Sequence, residues 1–278
     1  MTLAIVGIGL IGGSIGLSAK ATNAATHIIG IEPDASTWAD ALATGAVDEI
    51  TDDLAAGVQN AELVILAAPV AAILDLLPRL APLLRADAVV SDTGSVKGAI
   101  AEVGNLALGG QFIPGHPMAG GELGGVRQAR ADLFRGATWA ITPADEADTG
   151  AVGRVAAFVS ALGAVPLILA PGEHDAAVAL TSHLPHVLAY ALSAMARRQA
   201  GDGDVVHRLT AGSWVGATRV AAADPAQWAT ICYENRAALA PLLDALAGDL
   251  REAAALLRAG DARDLRGRFE AGNQSLGR

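Results

Sequence analysis

The chain has 278 residues, of which 52% are hydrophobic and 17% are charged. This length and composition indicate a globular protein with one large domain or two modest ones. The net charge of −10 argues against a nucleic-acid or anionic-membrane partner, because both need a basic surface. The single cysteine, Cys232, excludes an intramolecular disulfide and a cysteine-based metal site, and it fits a reducing, cytoplasmic location.

The first predicted strand, residues 3–6, runs directly into a G-x-G-x-x-G motif that opens a helix. Gly7 allows the tight turn, Gly9 lets the backbone approach a pyrophosphate, and Gly12 lets the helix pack closely on the strand. The motif therefore predicts a dinucleotide site at a helix N-terminus. The apolar stretch over residues 3–19 follows no lysine or arginine and is interrupted by glycines, so we expect neither a signal peptide nor a membrane anchor.

A second predicted strand, residues 27–31, ends at Glu32, twenty residues after Gly12. A carboxylate in this position accepts hydrogen bonds from the ribose hydroxyls and repels a 2′-phosphate, so NAD is favoured over NADP. Asp34 is an alternative for this role, although Pro33 should redirect the chain before it. Alternatively, Glu32 binds no ligand and is a loop carboxylate exposed to solvent.

Strands and helices alternate through the first 170 residues. Further strands are predicted over residues 47–50, 63–67, 88–90, 111–114, 138–141 and 165–169, and helices over 38–44, 70–84, 98–106 and 150–162. Pro78 and Pro82 should break the helix over 70–84. This alternation is typical of a mostly parallel sheet covered on both faces, whose ligands bind at the carboxyl ends of the strands. Five residues that follow strand ends should share that edge: Gly7, Glu32, Ala68, Ser95 and His116.

The rest of the chain is predicted to be helical. Helices are expected over residues 174–198, 204–222, 225–248, 249–259 and 261–272, and Pro185 should kink the first or start a new segment. These helices are apolar on several faces and must be buried, which predicts a homodimer. The fold class is thus α/β, with a Rossmann-type dinucleotide-binding domain over residues 1–170 and an all-α helical dimerisation domain over residues 171–278.

His116 is the leading candidate for proton transfer. Glycines and a proline surround it at the end of a predicted strand, which indicates a tight loop, and its ordinary pKa lies close to neutrality. A loop histidine bonded to backbone is the alternative. Ser95 follows another strand end, where its hydroxyl could orient a substrate oxygen or the histidine, cap the next helix, or do both.

Three further side chains belong to the predicted helical region. His183 and His186 lie one helical turn apart, and they could line a pocket, be structural, or bind a metal. No companion ligand pattern accompanies them, so we predict no metal site. Arg219 stands in a small, apolar stretch, where it could clamp a carboxylate in bidentate fashion or form a surface ion pair. Glu122 is the candidate to pair with it or to position it.

Together these motifs resemble the prephenate/arogenate (cyclohexadienyl) dehydrogenases of tyrosine biosynthesis. The matching stretches, in the family's order, are residues 7–12 with Glu32, 92–97, 115–120, 182–186 and 218–221. The resemblance covers nearly the whole chain. The histidine loop and the S-H-L-P-H stretch are its specific parts, whereas many other families share the glycine motif.

The resemblance implies a Rossmann domain with a helical dimerisation domain, and the NAD-dependent oxidative decarboxylation of prephenate, arogenate or both. A histidine matching His116 takes the proton of the ring 4-hydroxyl as hydride leaves to NAD; carbon dioxide is then lost and the ring becomes aromatic. A serine matching Ser95 holds the same hydroxyl, and an arginine matching Arg219 binds a substrate carboxylate. The remaining predicted substrate contacts are His186, His183, Gly121 and Glu122. The predicted NAD contacts are Gly7, Gly9, Leu10, Ile11, Gly12, Glu32, Ala68, Pro69 and Asp92.

Two departures from the family pattern leave the choice between prephenate and arogenate open. Gly121 stands where many members have threonine, and residues 215–219 lack the acidic neighbour that the arginine often has. The chain also leaves no room for the chorismate mutase or ACT domain of some members, so any tyrosine inhibition should act at the active site.

Two other functions remain alternatives. One is another two-domain hydroxyacid or imine dehydrogenase, although residues 171–278 contain no lysine for the lysine-dependent kind. The other is a non-catalytic NAD-sensing dimer.

Overall fold

A computed structural model describes residues 1–121, 123–199 and 205–274. Its strands are β1 (Thr2–Val6), β2 (His27–Ile31), β3 (Glu49–Thr51), β4 (Leu63–Leu66), β5 (Val89–Asp92), β6 (Phe112–Ile113), β7 (Gly115–Pro117), β8 (Thr138–Ile141) and β9 (Val165–Ile168). Its helices are α1 (Leu10–Ala21), α2 (Trp38–Ala43), α3 (Leu54–Val58), α4 (Val70–Leu80), α5 (Gly98–Leu108), α6 (Thr149–Ala161), α7 (Pro171–Val178), α8 (Leu184–Gln199), α9 (Val205–Arg208), α10 (Gly212–Thr218), α11 (Pro225–Glu234), α12 (Arg236–Ala259) and α13 (Ala262–Gln274). Within these described ranges, no helix is both long enough and apolar enough to cross a membrane.

The main sheet has the strand order β3-β2-β1-β4-β5-β6, and every pairing in it is parallel. This is the order of the doubly wound dinucleotide-binding fold, and it confirms the predicted fold class of this half of the chain. Val6 pairs with Ile31 and with Leu66, and Leu66 pairs with Asp92. The carboxyl ends of four strands therefore meet at one edge, as predicted for the residues that follow β1, β2, β4 and β5.

A second sheet, β7-β8-β9, was not predicted. Its β7 pairs antiparallel with β8, and β8 pairs parallel with β9. The predicted strand over residues 111–114 is divided, because Pro114 has no N–H to continue the ladder and the chain turns there from β6 into β7. His116 consequently lies within β7, opposite Ala140. The prediction that it lies in a tight loop was wrong.

Separate apolar clusters cover the two faces of the main sheet. Ile15 of α1 and Phe158 of α6 belong to the cluster on one face. Ile73 of α4 and Phe112 belong to the cluster on the other face, which also includes Ile231 of α11. The helical part of the chain thus shares a core with the nucleotide-binding part, and this contact fixes the position of its side chains at the edge of the sheet.

Proline had different effects in the two helices where we expected it to interrupt the chain. One turn of π-helix, Ala179–His183, joins α7 to α8, and Pro185 is the second residue of α8. The prediction that it starts a new segment is therefore confirmed. In contrast, α4 continues through Pro78 to Leu80. The interruption comes only at Pro82, in a turn of 3-10 helix over Ala81–Leu83.

The boundaries of three predicted helices were wrong. The helix predicted over 225–248 ends at Glu234, because Asn235 leaves helical geometry to make contacts described below. Helix α12 then runs through Gly248, since one glycine costs a long helix only about 1 kcal/mol. The helix predicted over 204–222 is divided into α9, α10 and a 3-10 turn, Arg219–Ala222, and residue 204 lies outside the described ranges. Helix α13 confirms the helix predicted over 261–272.

Candidate active site

The glycine loop has the geometry that a bound pyrophosphate requires. Gly7 has φ +93°, and a Cβ atom on it would lie 2.5 Å from the carbonyl oxygen of Ala67. A Cβ atom on Gly12 would lie 2.0 Å from the carbonyl oxygen of Gly7, whereas one on Gly9 would meet nothing within 4 Å of the described chain. The first and third glycines are therefore required by the packing of the chain, and the second leaves open space.

The start of α1 is suited to an anion. No described side chain caps this N-terminus, and its first turn contains no acidic residue. The N–H groups of the first turn, beginning with Leu10 and Ile11, and the positive end of the helix dipole are left for a ligand.

Glu32 lies directly against the glycine loop. Its Oε2 accepts a hydrogen bond from the N–H of Ile8 at 3.0 Å, and its Oε1 accepts one from the N–H of Asp34 at 3.1 Å. Asp34 has a different task, because its carboxylate accepts the N–H of Ser36 at 3.0 Å and caps the following turn. Hydrogen bonds from the side chain and from the backbone N–H of Ser36 lower the pKa of Asp34. Of the two candidate carboxylates, only Glu32 contacts the glycine loop.

A fully buried ion pair supports the chain immediately before His116. The ammonium group of Lys97 donates to the carboxylate of Asp92 and, at 2.7 Å, to the carbonyl oxygen of Gly115. Asp92 also accepts the N–H of Gly94 at 2.7 Å and that of Gly115 at 3.1 Å. Burial lowers the pKa of Lys97, although the charge of Asp92 opposes this. Because Asp92 has no exposed surface, we revise its predicted contact with NAD to a supporting role.

His116 belongs to a chain of hydrogen bonds that sequence reasoning missed. Its Nδ1 lies 2.9 Å from Nε2 of His174, and Nδ1 of His174 lies 2.7 Å from Oδ1 of Asp175. Burial, helped by the positive charge of Lys97, holds the pKa of His116 well below its usual range. The imidazole of His116 is therefore neutral near pH 7 and can accept a proton.

Asp175 also caps helix α5 from a distance. Its carboxylate accepts the N–H of Lys97 and the N–H of Gly98, each at 2.7 Å. Burial opposes its ionisation, but the hydrogen bonds from His174 and from these two backbone groups lower its pKa. Ser95 lies two residues before Lys97, the N-cap residue of α5, so the suggestion that Ser95 caps this helix was wrong.

The two histidines of the S-H-L-P-H stretch enclose one face and one edge of Trp228. His186 stacks on the indole with ring centroids 3.3 Å apart, and His183 meets it edge-on at 5.9 Å. Nδ1 of His186 lies 2.9 Å from the carbonyl oxygen of Ser182, and Nδ1 of His183 lies 3.1 Å from Nδ2 of Asn235. In the described part of the chain, no three His, Cys, Asp or Glu side chains converge as a metal site would require.

Both histidines are shifted towards the neutral form. Burial lowers the pKa of His183 to about 4. Burial also lowers the pKa of His186, and the positive charge of Arg219 lowers it further. His183 is fully buried, and its Nε2 has no hydrogen-bond partner among the described residues.

A cavity of about 630 Å³ joins the glycine loop to the helical region. It brings together four residues predicted at the cofactor and substrate sites: Leu10, Gly121, His186 and Arg219. Gln128 and Arg130 also line it and were not predicted. His116 and Ser95 are not part of this lining, and Glu122 lies outside the described residues.

His116 is connected to the cavity through the predicted residues His183 and His186 and through four side chains that were not predicted: His174, Asp175, Asn235 and Trp228. Asn235 donates to the carbonyl oxygen of Asp175 at 2.8 Å and also contacts His183. His183 meets Trp228, on which His186 stacks beside the cavity. One weak signal for this network is present in the sequence, because the polar residues His174 and Asp175 stand directly before an apolar run.

Comparison with known families shows which family the chain belongs to. The family model described as prephenate dehydrogenase, nucleotide-binding domain, matches residues 15–177, and the one described as prephenate dehydrogenase, dimerization domain, matches residues 170–271. The chain belongs to the prephenate dehydrogenase family. This confirms the resemblance inferred from the motifs and the order of the two domain types.

Individual relatives agree with this assignment. The chain is 35% identical to a cyclohexadienyl dehydrogenase of Zymomonas mobilis over 252 residues, which cover 90% of this chain and 86% of that protein. It is similar to the structure of prephenate dehydrogenase from A. aeolicus in complex with hydroxyphenyl propionate and NAD+, with a TM-score of 0.93 and 26% identity. That comparison covers 99% of this chain and 96% of the A. aeolicus chain. It is also similar to the structure of Synechocystis arogenate dehydrogenase, with a TM-score of 0.82 and 30% identity over 100% of this chain and 99% of that chain.

Proposed function

We propose that the chain is an NAD-dependent dehydrogenase of tyrosine biosynthesis that oxidatively decarboxylates prephenate, arogenate or both. Family membership supports the reaction class. The observation that carries the proposal is the cavity in which Leu10 of the glycine loop meets His186 and Arg219 of the helical region. A cofactor bound at the loop and a carboxylate bound by the arginine would share this space.

The residues at the glycine loop fit NAD. Gly9 leaves room for the pyrophosphate, the uncapped start of α1 faces it, and Glu32 is held where the adenosine ribose would bind. When bound there, NAD would supply the acceptor for hydride from the substrate ring. Ala68 and Pro69 follow β4 at the same edge of the sheet and complete the proposed contacts.

The proposed roles of the other residues follow from their chemistry. The neutral imidazole of His116 accepts the proton of the ring hydroxyl, and Ser95 orients that hydroxyl. Arg219 binds a substrate carboxylate, while His186 and His183 line the substrate site. Gly121 and, outside the described residues, Glu122 lie in the loop that would contact the substrate side chain.

We also propose that the domains divide after residue 170, because α7 begins at Pro171, and that two copies associate through the helical part. Large apolar side chains of this part are exposed in the single chain: Leu188, Met195, Leu250, Leu257 and Phe269. A partner subunit would cover such a surface.

The test is NADH formation by the purified protein with NAD and either prephenate or arogenate. Turnover of at least one supports the proposal, and the ratio of the two kcat/KM values gives the side-chain preference. NAD binding without turnover of either substrate would contradict it and favour the NAD-sensing alternative. Turnover of a 3-hydroxy acid instead would favour the other dehydrogenase class.

A further inference from the structure

The carboxylate of Asp175 fixes the direction of its hydrogen bond with His174. The carboxylate of Asp175 is ionised and acts only as an acceptor, and it already binds the N–H groups of Lys97 and Gly98. The third group at this carboxylate, Nδ1 of His174 at 2.7 Å, must therefore carry a proton and donate it to the bond.

When His174 is neutral, this direction also determines which nitrogen of His116 carries the proton. A neutral His174 that carries its proton on Nδ1 has a lone pair on Nε2, so that atom accepts a hydrogen bond. The atom facing it at 2.9 Å is Nδ1 of His116, which must donate. A neutral His116 then has its lone pair on Nε2, the nitrogen turned away from His174.

His174 and Asp175, the two residues that support His116, are held in place by burial and by hydrogen bonds. His174 is 2% exposed and Asp175 is 8% exposed. The backbone of Asp175 is fixed as well, because its carbonyl oxygen accepts the side-chain amide of Asn235 at 2.8 Å. Among the described residues, the other charged or titratable groups around His116 are His183, Lys97 and, bound to Lys97, Asp92. The orientation of His116 on β7 therefore depends on α7 packing against the start of α5.

We infer that His174, held by Asp175, is a positioning residue that keeps His116 in the tautomer with its proton on Nδ1 and its lone pair on Nε2. The inference rests on the proposed function, in which Nε2 is the atom that accepts the proton of the substrate hydroxyl. In that step the substrate O–H bond breaks and an N–H bond forms at Nε2, while the bond from Nδ1 to His174 stays in place. A general base held by a second side chain in this way needs no reorganisation when the substrate binds.

The first measurement is the tautomer of His116 in the wild-type protein, from long-range 1H–15N NMR correlations of the imidazole. The expected result is a protonated Nδ1 and an unprotonated Nε2 above the pKa of His116. A proton on Nε2 would overturn the inference. This measurement needs neither substrate nor variant, so it separates a failure of the inference from a failure of the proposed function.

The second measurement compares two variants of His174 in the intact chain. His174→Phe keeps a ring of similar volume but removes the acceptor, so His116 should lose its single tautomer. We expect kcat to fall by about tenfold or more, up to the ~10²–10⁴-fold that a general base contributes. The substrate KM and the affinity for NAD should change little. His174→Gln restores an acceptor and should recover the tautomer and part of kcat.

His27→Phe, at a partly exposed position at the start of β2, is the matched control and should behave as wild type. Wild-type kcat and tautomer in His174→Phe would overturn the inference. A kcat as low in His174→Gln as in His174→Phe would also do so. If the phenylalanine variant does not fold, the tautomer of His116 in the wild type and the kcat of His174→Gln still test the inference.

Discussion

The ammonium nitrogen of Lys97 lies 2.7 Å from the carbonyl oxygen of Gly115, the residue before His116. The same nitrogen is bound to the carboxylate of Asp92, and neither side chain has any exposed surface. One buried ion pair thus joins the end of β5 to the strand that carries the proposed base.

Lys97→Met should strongly destabilise the protein. The substitution leaves the carboxylate of Asp92 buried without its charged partner, which typically costs about 3–5 kcal/mol. The measurement is the free energy of unfolding in denaturant. The chain's other lysine is the control, because the pair of Lys20 with Asp48 is partly exposed and Lys20→Met should cost at most about 1 kcal/mol. Equal losses in the two variants would contradict the structural role given to Lys97.

Glu32→Ser should weaken the preference for NAD over NADP. The substitution removes the carboxylate that repels a 2′-phosphate and that holds the N–H of Ile8. We expect the ratio of the dissociation constants for NADP and NAD to fall by about tenfold or more, because removing one charge repulsion or hydrogen bond is worth ~1.4 kcal/mol or more. Titration of both cofactors measures it. Asp34→Ser alters only a turn cap, so a similar change in that variant would argue against Glu32.

His116→Asn should reduce kcat by about 10²–10⁴-fold and leave NAD binding intact. Asparagine keeps a donor near the position of Nδ1 and can still bond to His174, so the variant removes mainly the accepting Nε2. His27→Asn serves as the control. Activity that survives in His116→Asn would exclude His116 as the base.

The pH profile of the wild-type enzyme gives an independent test of the same residue. Burial, helped by the positive charge of Lys97, keeps the pKa of His116 well below 6.5. A base with a depressed pKa stays neutral as the pH falls through 6.5. The value of kcat/KM should therefore stay constant around pH 6.5 and decline only at clearly lower pH. A decline centred at 6.5 would mean that His116 has an ordinary pKa or is not the base.

Gly121→Thr should change the relative use of prephenate and arogenate. Gly121 lines the cavity, and a Cβ atom there would lie 3.1 Å from the end of the Leu10 side chain, which can move aside. The added hydroxyl and methyl group can then contact the substrate side chain. We expect the ratio of the two kcat/KM values to shift by about tenfold. Gly153→Thr, on the exposed face of α6, should leave the ratio unchanged, and an unchanged ratio in both variants would remove Gly121 from the substrate site.

Local spacing was enough to predict the nucleotide site. The glycine motif, Glu32 and the order of strands and helices follow from neighbours in sequence, so the sheet edge that carries Gly7, Glu32 and Ala68 could be predicted. The second sheet could not, because it depends on Pro114 redirecting the chain and on β7 pairing with β8 more than twenty residues later.

The supporting residues of the site were beyond sequence reasoning for the same physical reason. His174 acts on His116 across 58 residues, Asp175 on Lys97 across 78, and Asn235 on Asp175 across 60. No periodicity or motif spacing records such contacts. Asn235 also explains the wrong helix boundary, since it leaves the helix in order to bind Asp175 and His183.

His183 should make the stability of the protein depend on pH between about 6.5 and 4. In the unfolded chain this histidine takes up a proton near pH 6.5, but burial lowers its pKa in the folded protein to about 4. The unfolded state therefore binds more protons in this window, so the contribution of His183 to stability is present above pH 6.5 and is lost as the pH falls. Between pH 7 and pH 5 the loss should be about 2 kcal/mol.

The measurement is the free energy of unfolding at pH 7 and pH 5 in the wild type and in His183→Asn. Asparagine can keep a contact with Asn235 but cannot titrate, so this variant should lose about 2 kcal/mol less than the wild type over the interval. His27→Asn removes a partly exposed histidine beside Asp48 and Glu49 and should keep most of the wild-type dependence. If His183→Asn lost as much stability as the wild type, the histidine would have to be protonated in the folded state, which would require water or a carboxylate to reach its buried Nε2.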